Sequence, residues 1–183
     1  MSKNILVLIG SASRNSFSHA TVRHLQRIAP ASLALNVSDI SALPLYDRDY
    51  DADSPAAYAR LRQAVAAADG VLWVSPEHNG APSAMLKNAI DIASCPVGQS
   101  QWTGKPLGIV AVGAGMAGGI RAADQLRLIA ASKFVNMPAF SQNACVAGVL
   151  SGVFNEQGEL VQESVRQMLQ DFINGFADFV ARY

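Results

Sequence analysis

The sequence predicts an α/β domain on a doubly wound, five-stranded parallel sheet, and three observations lead there. Asn4–Ile9, Val71–Val74 and Leu107–Val112 are continuous apolar runs, the mark of strands buried on both faces. A turn-rich segment and then a helix-spaced stretch follow each run. No break in composition interrupts this alternation, so residues 1–183 read as one domain on one sheet. A chain of 183 residues is long enough to bury about 70% of its unfolded surface.

The elements follow in order. Asn4–Ile9 is the first strand, and Ser18–Ile28 is a helix closed by Pro30. Ser32–Val37 alternates as a strand at the side of the sheet, and the Asp- and Pro-rich stretch Ile40–Pro55 is a long loop. Ala56–Ala68 is a helix stopped by Asp69-Gly70, where glycine tolerates the left-handed conformation. Val71–Val74 is the third strand and Pro82–Ala93 the third helix. Leu107–Val112 is the fourth strand, Gly118–Ala131 the fourth helix, and Asn136–Phe140 a short fifth strand. Val161–Arg182 carries Val165, Met168, Leu169, Phe172, Phe176, Phe179 and Val180 at steps of three and four. That stripe is expected to lie on the sheet.

Composition narrows the function. Fourteen basic residues balance fourteen acidic ones, which argues against a nucleic-acid face. The apolar run after Lys3 is too short for a signal peptide, and no stretch approaches the length of a membrane span; a cytoplasmic protein is expected. Cys95 and Cys145 are too few and too far apart for a disulfide framework or a zinc site, and read as reduced thiols. No His or Cys pair stands at ligand spacing, so no metal is expected.

Three strand-end loops carry the chemistry. Gly10–Ser18 supplies four hydroxyls, Arg14 and backbone N–H groups at a helix amino terminus, a natural phosphate site. Without a Gly-Lys-Ser/Thr ending it is not a Walker loop. Ser75-Pro76-Glu77-His78-Asn79-Gly80 places hydrogen-bonding groups at the carboxyl end of a central strand, where open α/β sheets bind ligands. Gly113-Ala114-Gly115-Met116-Ala117-Gly118 matches the dinucleotide pattern Gly-x-Gly-x-x-Gly. It follows the fourth strand instead of the first, and no acidic residue lies between Asp124 and Glu156 to hold a ribose. Its glycines suit either a close approach to a planar group or tight strand-to-helix packing.

These motifs resemble the NADPH-dependent FMN reductase family, a flavodoxin-like group. Its middle loop usually reads Pro-Glu-Tyr-Asn-Gly, followed by Leu-Lys-Asn-Ala-Ile-Asp-Trp. This chain has His78 for the Tyr and Ile92 for the Trp. In the family's first loop, Gly-Ser-x-Arg-x-x-Ser-x-Asn, Gly10, Ser11 and Ser16 match; Ser13 stands at the Arg, Arg14 is displaced by one, and Ser18 replaces the Asn. In the third, Ser-x-Gly-x-x-Gly-Gly, Gly115, Gly118 and Gly119 match and Gly113 lacks the hydroxyl. Trp102-Thr103-Gly104-Lys105-Pro106 also fits.

The resemblance implies a three-layer sandwich with strand order 2-1-3-4-5, so that the three loops meet where the winding reverses. It implies bound FMN. Its phosphate would lie on Ser11, Arg14, Ser16, Phe17 and Ser18, its ring on Pro76, Glu77, His78, Asn79 and Gly80, and its pyrimidine edge on Gly113, Gly115, Gly118 and Gly119. It further implies NADPH or NADH as co-substrate and a quinone, azo compound, metal oxyanion or free flavin as acceptor. The assembly would be a homodimer or homotetramer with the third helix at the interface. The flavin would carry the chemistry, so no catalytic side chain is expected; His78 could tune it through a charge that changes near neutral pH. The alternative is a flavodoxin-like flavin-binding or electron-transfer protein without NAD(P)H turnover. Its usual acidic surface and Thr-rich phosphate loop are missing from this sequence. Away from the loops, His19 and His24 are expected to be solvated, Trp73 to be core and Trp102 to pack between subunits. Lys87, Asn88 and Asp91 would fix packing, a helix–loop hydrogen bond or a subunit contact.

Overall fold

The computed structural model describes residues 2–183. In chain order it contains β1 (Lys3–Ile9), α1 (Phe17–Ile28), β2 (Leu33–Ser38), α2 (Ala56–Ala66), β3 (Gly70–His78), β4 (Ala81–Pro82), α3 (Ala84–Ser94), β5 (Leu107–Val112), α4 (Ile120–Ala130), β6 (Ala139–Val146) and α5 (Glu163–Val180). Five strands pair in parallel in the order β2-β1-β3-β5-β6, and the two-residue β4 folds back antiparallel on the end of β3. Apart from β4, this is the expected order.

Strand residues alternate between two cores, as the period of two requires. Ile5, Val7, Leu72, Val74 and Val110 face α1 and α5 on one side, where Leu25, Phe172 and Phe176 cover them. Leu6, Leu8, Val71, Trp73 and Ile109 face α2, α3 and α4 on the other, under Leu61, Ile90 and Leu126.

The fifth parallel strand lies further along the chain than Asn136–Phe140. It runs Ala139–Val146 as the edge of the sheet, with Ser141 and Gln142 exposed. An edge strand tolerates this polarity because one side of its backbone faces solvent. The register shifts between Leu107 and Ile109 on β5. Arg127 of α4 fastens the strand, donating to the Phe140 carbonyl at 2.9 Å and to the Asn143 side-chain oxygen.

Trp102 is a second correction. Its indole is fully buried inside the chain, edge-on to Trp73 with centroids 5.5 Å apart, and its Nε1 donates to the Ile90 carbonyl at 2.9 Å. Asn88 makes the helix–loop contact: its Oδ1 accepts from the Tyr46 N–H at 2.7 Å and its Nδ2 donates to the Pro44 carbonyl at 3.0 Å. Lys87 and Asp91 pair at 2.7 Å on the open face of α3.

His24 is not a solvated side chain either. Its Nε2 is buried without a partner among the described residues, in a small cleft with Arg27, Glu159 and Arg166. Burial, and then the charges of Arg27 and Arg166, hold its pKa below the ordinary 6.5. Just below that value the unfolded chain takes up a proton that the folded chain refuses. Stability is therefore whole above pH 6.5 and declines as the pH falls toward the folded value. His24→Gln is expected to flatten the decline in thermal midpoint between about pH 7 and pH 5. Parallel profiles for the two proteins would remove His24 from the acid response.

Candidate active site

The first loop leaves β1 at Gly10, whose N–H donates to the Val74 carbonyl at 2.8 Å. A Cβ at Gly10 would stand 2.3 Å from Ser83 Oγ and 3.0 Å from Leu86 Cβ, so only glycine lets the chain pass the start of α3. Helix α1 begins at Phe17, one residue earlier than the expected Ser18. Ser16 is the N-cap, and its hydroxyl accepts from the His19 N–H at 3.3 Å. Phe17 and Ser18 are thus the first helical residues, and their N–H groups have no carbonyl one turn earlier to receive them. The His19 ring corrects another expectation. Its Nε2 lies 2.8 Å from the Ser11 carbonyl and must carry the proton there, tying the loop back onto α1.

The middle segment continues β3 out of the sheet. Ser75 is buried; its hydroxyl accepts from the Ser83 N–H at 3.0 Å and donates to the Pro76 carbonyl at 2.8 Å. Asn79 and Gly80 both have positive φ, 53° and 75°, and close a tight hairpin that pairs Glu77 with Pro82 and His78 with Ala81. Asn-Gly is the preferred pair for such a turn, a signal present in the sequence but read there only as a loop. The Glu77 carboxylate turns to α4 and accepts from the N–H groups of Arg121 and Ala122 at 3.1 and 3.3 Å. Gln125 of α4 donates to the Gly80 carbonyl at 2.7 Å.

In the third loop, three of the four glycines have a packing reason of their own. A Cβ at Gly113 would lie 2.6 Å from the Gly119 nitrogen, and one at Gly118 would lie 3.0 Å from the Cys145 backbone. Gly119, in the left-handed conformation, caps α4. Gly115 faces open space. A fourth segment, after β6, joins these loops: Gly148 N–H donates to the Gly115 carbonyl at 3.2 Å and Val149 N–H to the Gly113 carbonyl at 3.4 Å. The sequence reading missed this segment. Its signal was its place after the last strand, since every parallel strand end points to this edge.

These segments enclose a cleft of about 300 Å³. Ser11, Ser13 and Asn15–Ser18 line one end, Pro76, Glu77 and His78 one wall, and Val112, Gly113, Ala114, Val149 and Leu150 the other. Of the residues expected at the site, Ser11, Ser16, Phe17, Ser18, Pro76, Glu77, His78 and Gly113 come together here. Arg14 lines an adjoining cleft with Arg23 and Glu156. Asn79 and Gly80 form the hairpin tip, Gly118 and Gly119 pack against the backbone of Cys145 and Val112, and Gly115 faces open space outside the lining. Cys145 is a free thiol whose pKa is pushed up by burial and by the charges of Asp124 and Glu77. Among the described residues, no cluster of three or more His, Cys, Asp or Glu could hold a metal.

The donor set fits FMN. Serine hydroxyls and two unpaired helical N–H groups at the positive end of α1 suit a phosphate. The apolar walls between Pro76 and Leu150 suit a flat ring.

Comparison with known proteins agrees with this geometry. Residues 3–149 match the model of the NADPH-dependent FMN reductase family. A quinone reductase of Pseudomonas putida is 38% identical over 97% of this chain and 94% of its own length. A 2-hydroxy-1,4-benzoquinone reductase of a Burkholderia species is 36% identical over 98% and 97%. Among solved structures, FerB, a flavoenzyme NAD(P)H:(acceptor) oxidoreductase from Paracoccus denitrificans, superposes with a TM-score of 0.88 at 29% identity, covering 98% of both chains. By this match across most of its length, the chain belongs to the NADPH-dependent FMN reductase family.

Proposed function

We propose that this oxidoreductase holds FMN in the cleft and uses it to carry hydride from NADPH or NADH to a small acceptor, a quinone before an azo compound, a metal oxyanion or free flavin. The observation that carries the reading is the convergence of a serine-lined helix amino terminus with strand-end loops around one cleft of about 300 Å³. The quinone preference comes from relatives named for quinones. When bound, FMN supplies the hydride chemistry, so the protein needs no nucleophile.

The residues divide the remaining work. Ser11, Ser16, Ser18 and the N–H groups of Phe17 and Ser18 anchor the phosphate. Pro76–His78 support one side of the ring, and Gly113 and Ala114 bring backbone to its other edge. Val149 and Leu150 exclude water at the mouth. Asn79, Gly80, Gly115, Gly118 and Gly119 hold these walls in place, and Arg14 adds positive charge beside the phosphate loop. We place the whole chain, 1–183, in one FMN-binding domain working in the cytoplasm as a homodimer or homotetramer through the open face of α3. None of its described helices is long and apolar enough to cross a membrane.

The test is the purified protein's absorption spectrum together with steady-state oxidation of NADPH and NADH in the presence of a quinone. Bound-flavin absorbance and quinone-dependent turnover are expected. A protein that binds FMN but does not turn over either nucleotide would be an electron carrier instead, and one that binds no FMN would refute the site.

A further inference from the structure

We propose that the chain takes FAD as well as FMN, with the adenylate half of the dinucleotide in the cleft that adjoins the phosphate end of the flavin site. The inference rests on the FMN reading above. The two flavins are alike from the ring to the first phosphate, so the choice between them depends on what the chain offers beyond that phosphate. A second cleft begins there, of about 320 Å³ against about 300 Å³ for the first. Asn15, Ser16 and Phe17 line both, and Arg14, Arg23 and Gln157 line only the second.

Both walls of this cleft are built. From the N-cap Ser16, Ala20 and Arg23 follow at steps of four and three, which puts them on one face of α1. Opposite them Phe154 bridges to Leu160. Asn155 closes the turn between, its side-chain oxygen accepting from the Glu159 N–H at 2.8 Å and its carbonyl from the Gly158 N–H at 2.9 Å. Phe154 rests on Phe17 with ring centroids 5.2 Å apart, which fixes the far wall to the start of α1. The charged residues in the lining are Arg14, Arg23 and Glu156, two cations against one carboxylate. Among the described residues, neither Arg14 nor Arg23 has an acidic partner or a side-chain hydrogen bond, whereas Arg27 and Arg166 in the next clefts along α1 donate to backbone carbonyls. A free guanidinium at this place suits the second phosphate of FAD, and its plane can stack on adenine.

The experiment titrates FMN and, separately, FAD into the flavin-free chain and into Arg23→Ala and Arg23→Lys. Arg23 is exposed, so both variants are expected to fold. The wild type is expected to bind FAD at least as tightly as FMN. Arg23→Ala should weaken FAD roughly tenfold, the loss of one contact to a charged phosphate, at unchanged FMN affinity. Arg23→Lys keeps the charge without the planar fork and should recover part of that loss. Weaker binding of FAD than of FMN by the wild type would overturn the proposal, and so would unchanged FAD affinity in Arg23→Ala. Equal weakening of both flavins would assign Arg23 to the phosphate loop instead. A KM for NADPH that rises in FMN-loaded Arg23→Ala while FAD affinity holds would give the cleft to the adenylate of the co-substrate. Failure of the wild-type chain to bind either flavin would refute the parent reading.

Discussion

Trp102→Ala is expected to cost about 3–5 kcal/mol of folding stability, seen as a lower urea midpoint at unchanged slope. The indole is completely buried, stands edge-on to Trp73 and donates to the Ile90 carbonyl inside α3. Truncation removes the contact of the segment before β5 with Trp73 and α3, and it leaves a void. It also removes the indole hydrogen bond to the Ile90 carbonyl. Trp102→Phe should cost less, because it keeps most of the volume and forfeits mainly the hydrogen bond. A loss below about 1 kcal/mol for the alanine variant would contradict this burial and return Trp102 to a surface between subunits.

Ser11→Ala combined with Ser16→Ala is expected to weaken FMN binding by about 2–3 kcal/mol, between 30- and 150-fold, through loss of two hydroxyl contacts to a charged phosphate. Ser16 also caps α1 through the His19 N–H, so the double variant should lose some thermal stability as well. Titrating FMN into both apo proteins well below their thermal midpoints isolates the binding effect. Equal affinities would move the phosphate away from the amino terminus of α1.

What could be read in advance follows from where the physics is local. The three central strands were readable because Ile5–Ile9, Val71–Val74 and Leu107–Val112 lie in the buried centre, where side chains must be apolar, while their order came from the family resemblance. The edge strand was not, because Ser141 and Gln142 face solvent and carry no pattern. Ser11, Ser16 and Ser18 were found because a helix amino terminus advertises itself in the chain. The roles of Glu77, His19 and Trp102 depend on partners 44, 8 and 12 residues away, and no spacing rule specifies such pairings. The glycines of the third loop matched a ligand-binding pattern, and much of their requirement turns out to lie in β6 and α4.

The junction of α1 with α5 governs how this protein is made. Helix α5 covers the same face of the sheet as α1, and Gln170 donates to the Ile28 carbonyl across 142 positions of sequence. Phe17, at the start of α1, leans on Phe154 near the far end of the chain, with ring centroids 5.2 Å apart. During synthesis the amino-terminal loop therefore emerges long before its support exists. Parallel strands joined across such separations fold slowly, with apolar surface exposed meanwhile. A chain that stops before α5 is therefore expected to leave the α1 face of the sheet uncovered, so that the loss reaches the loop at the start of α1 and not merely the last helix.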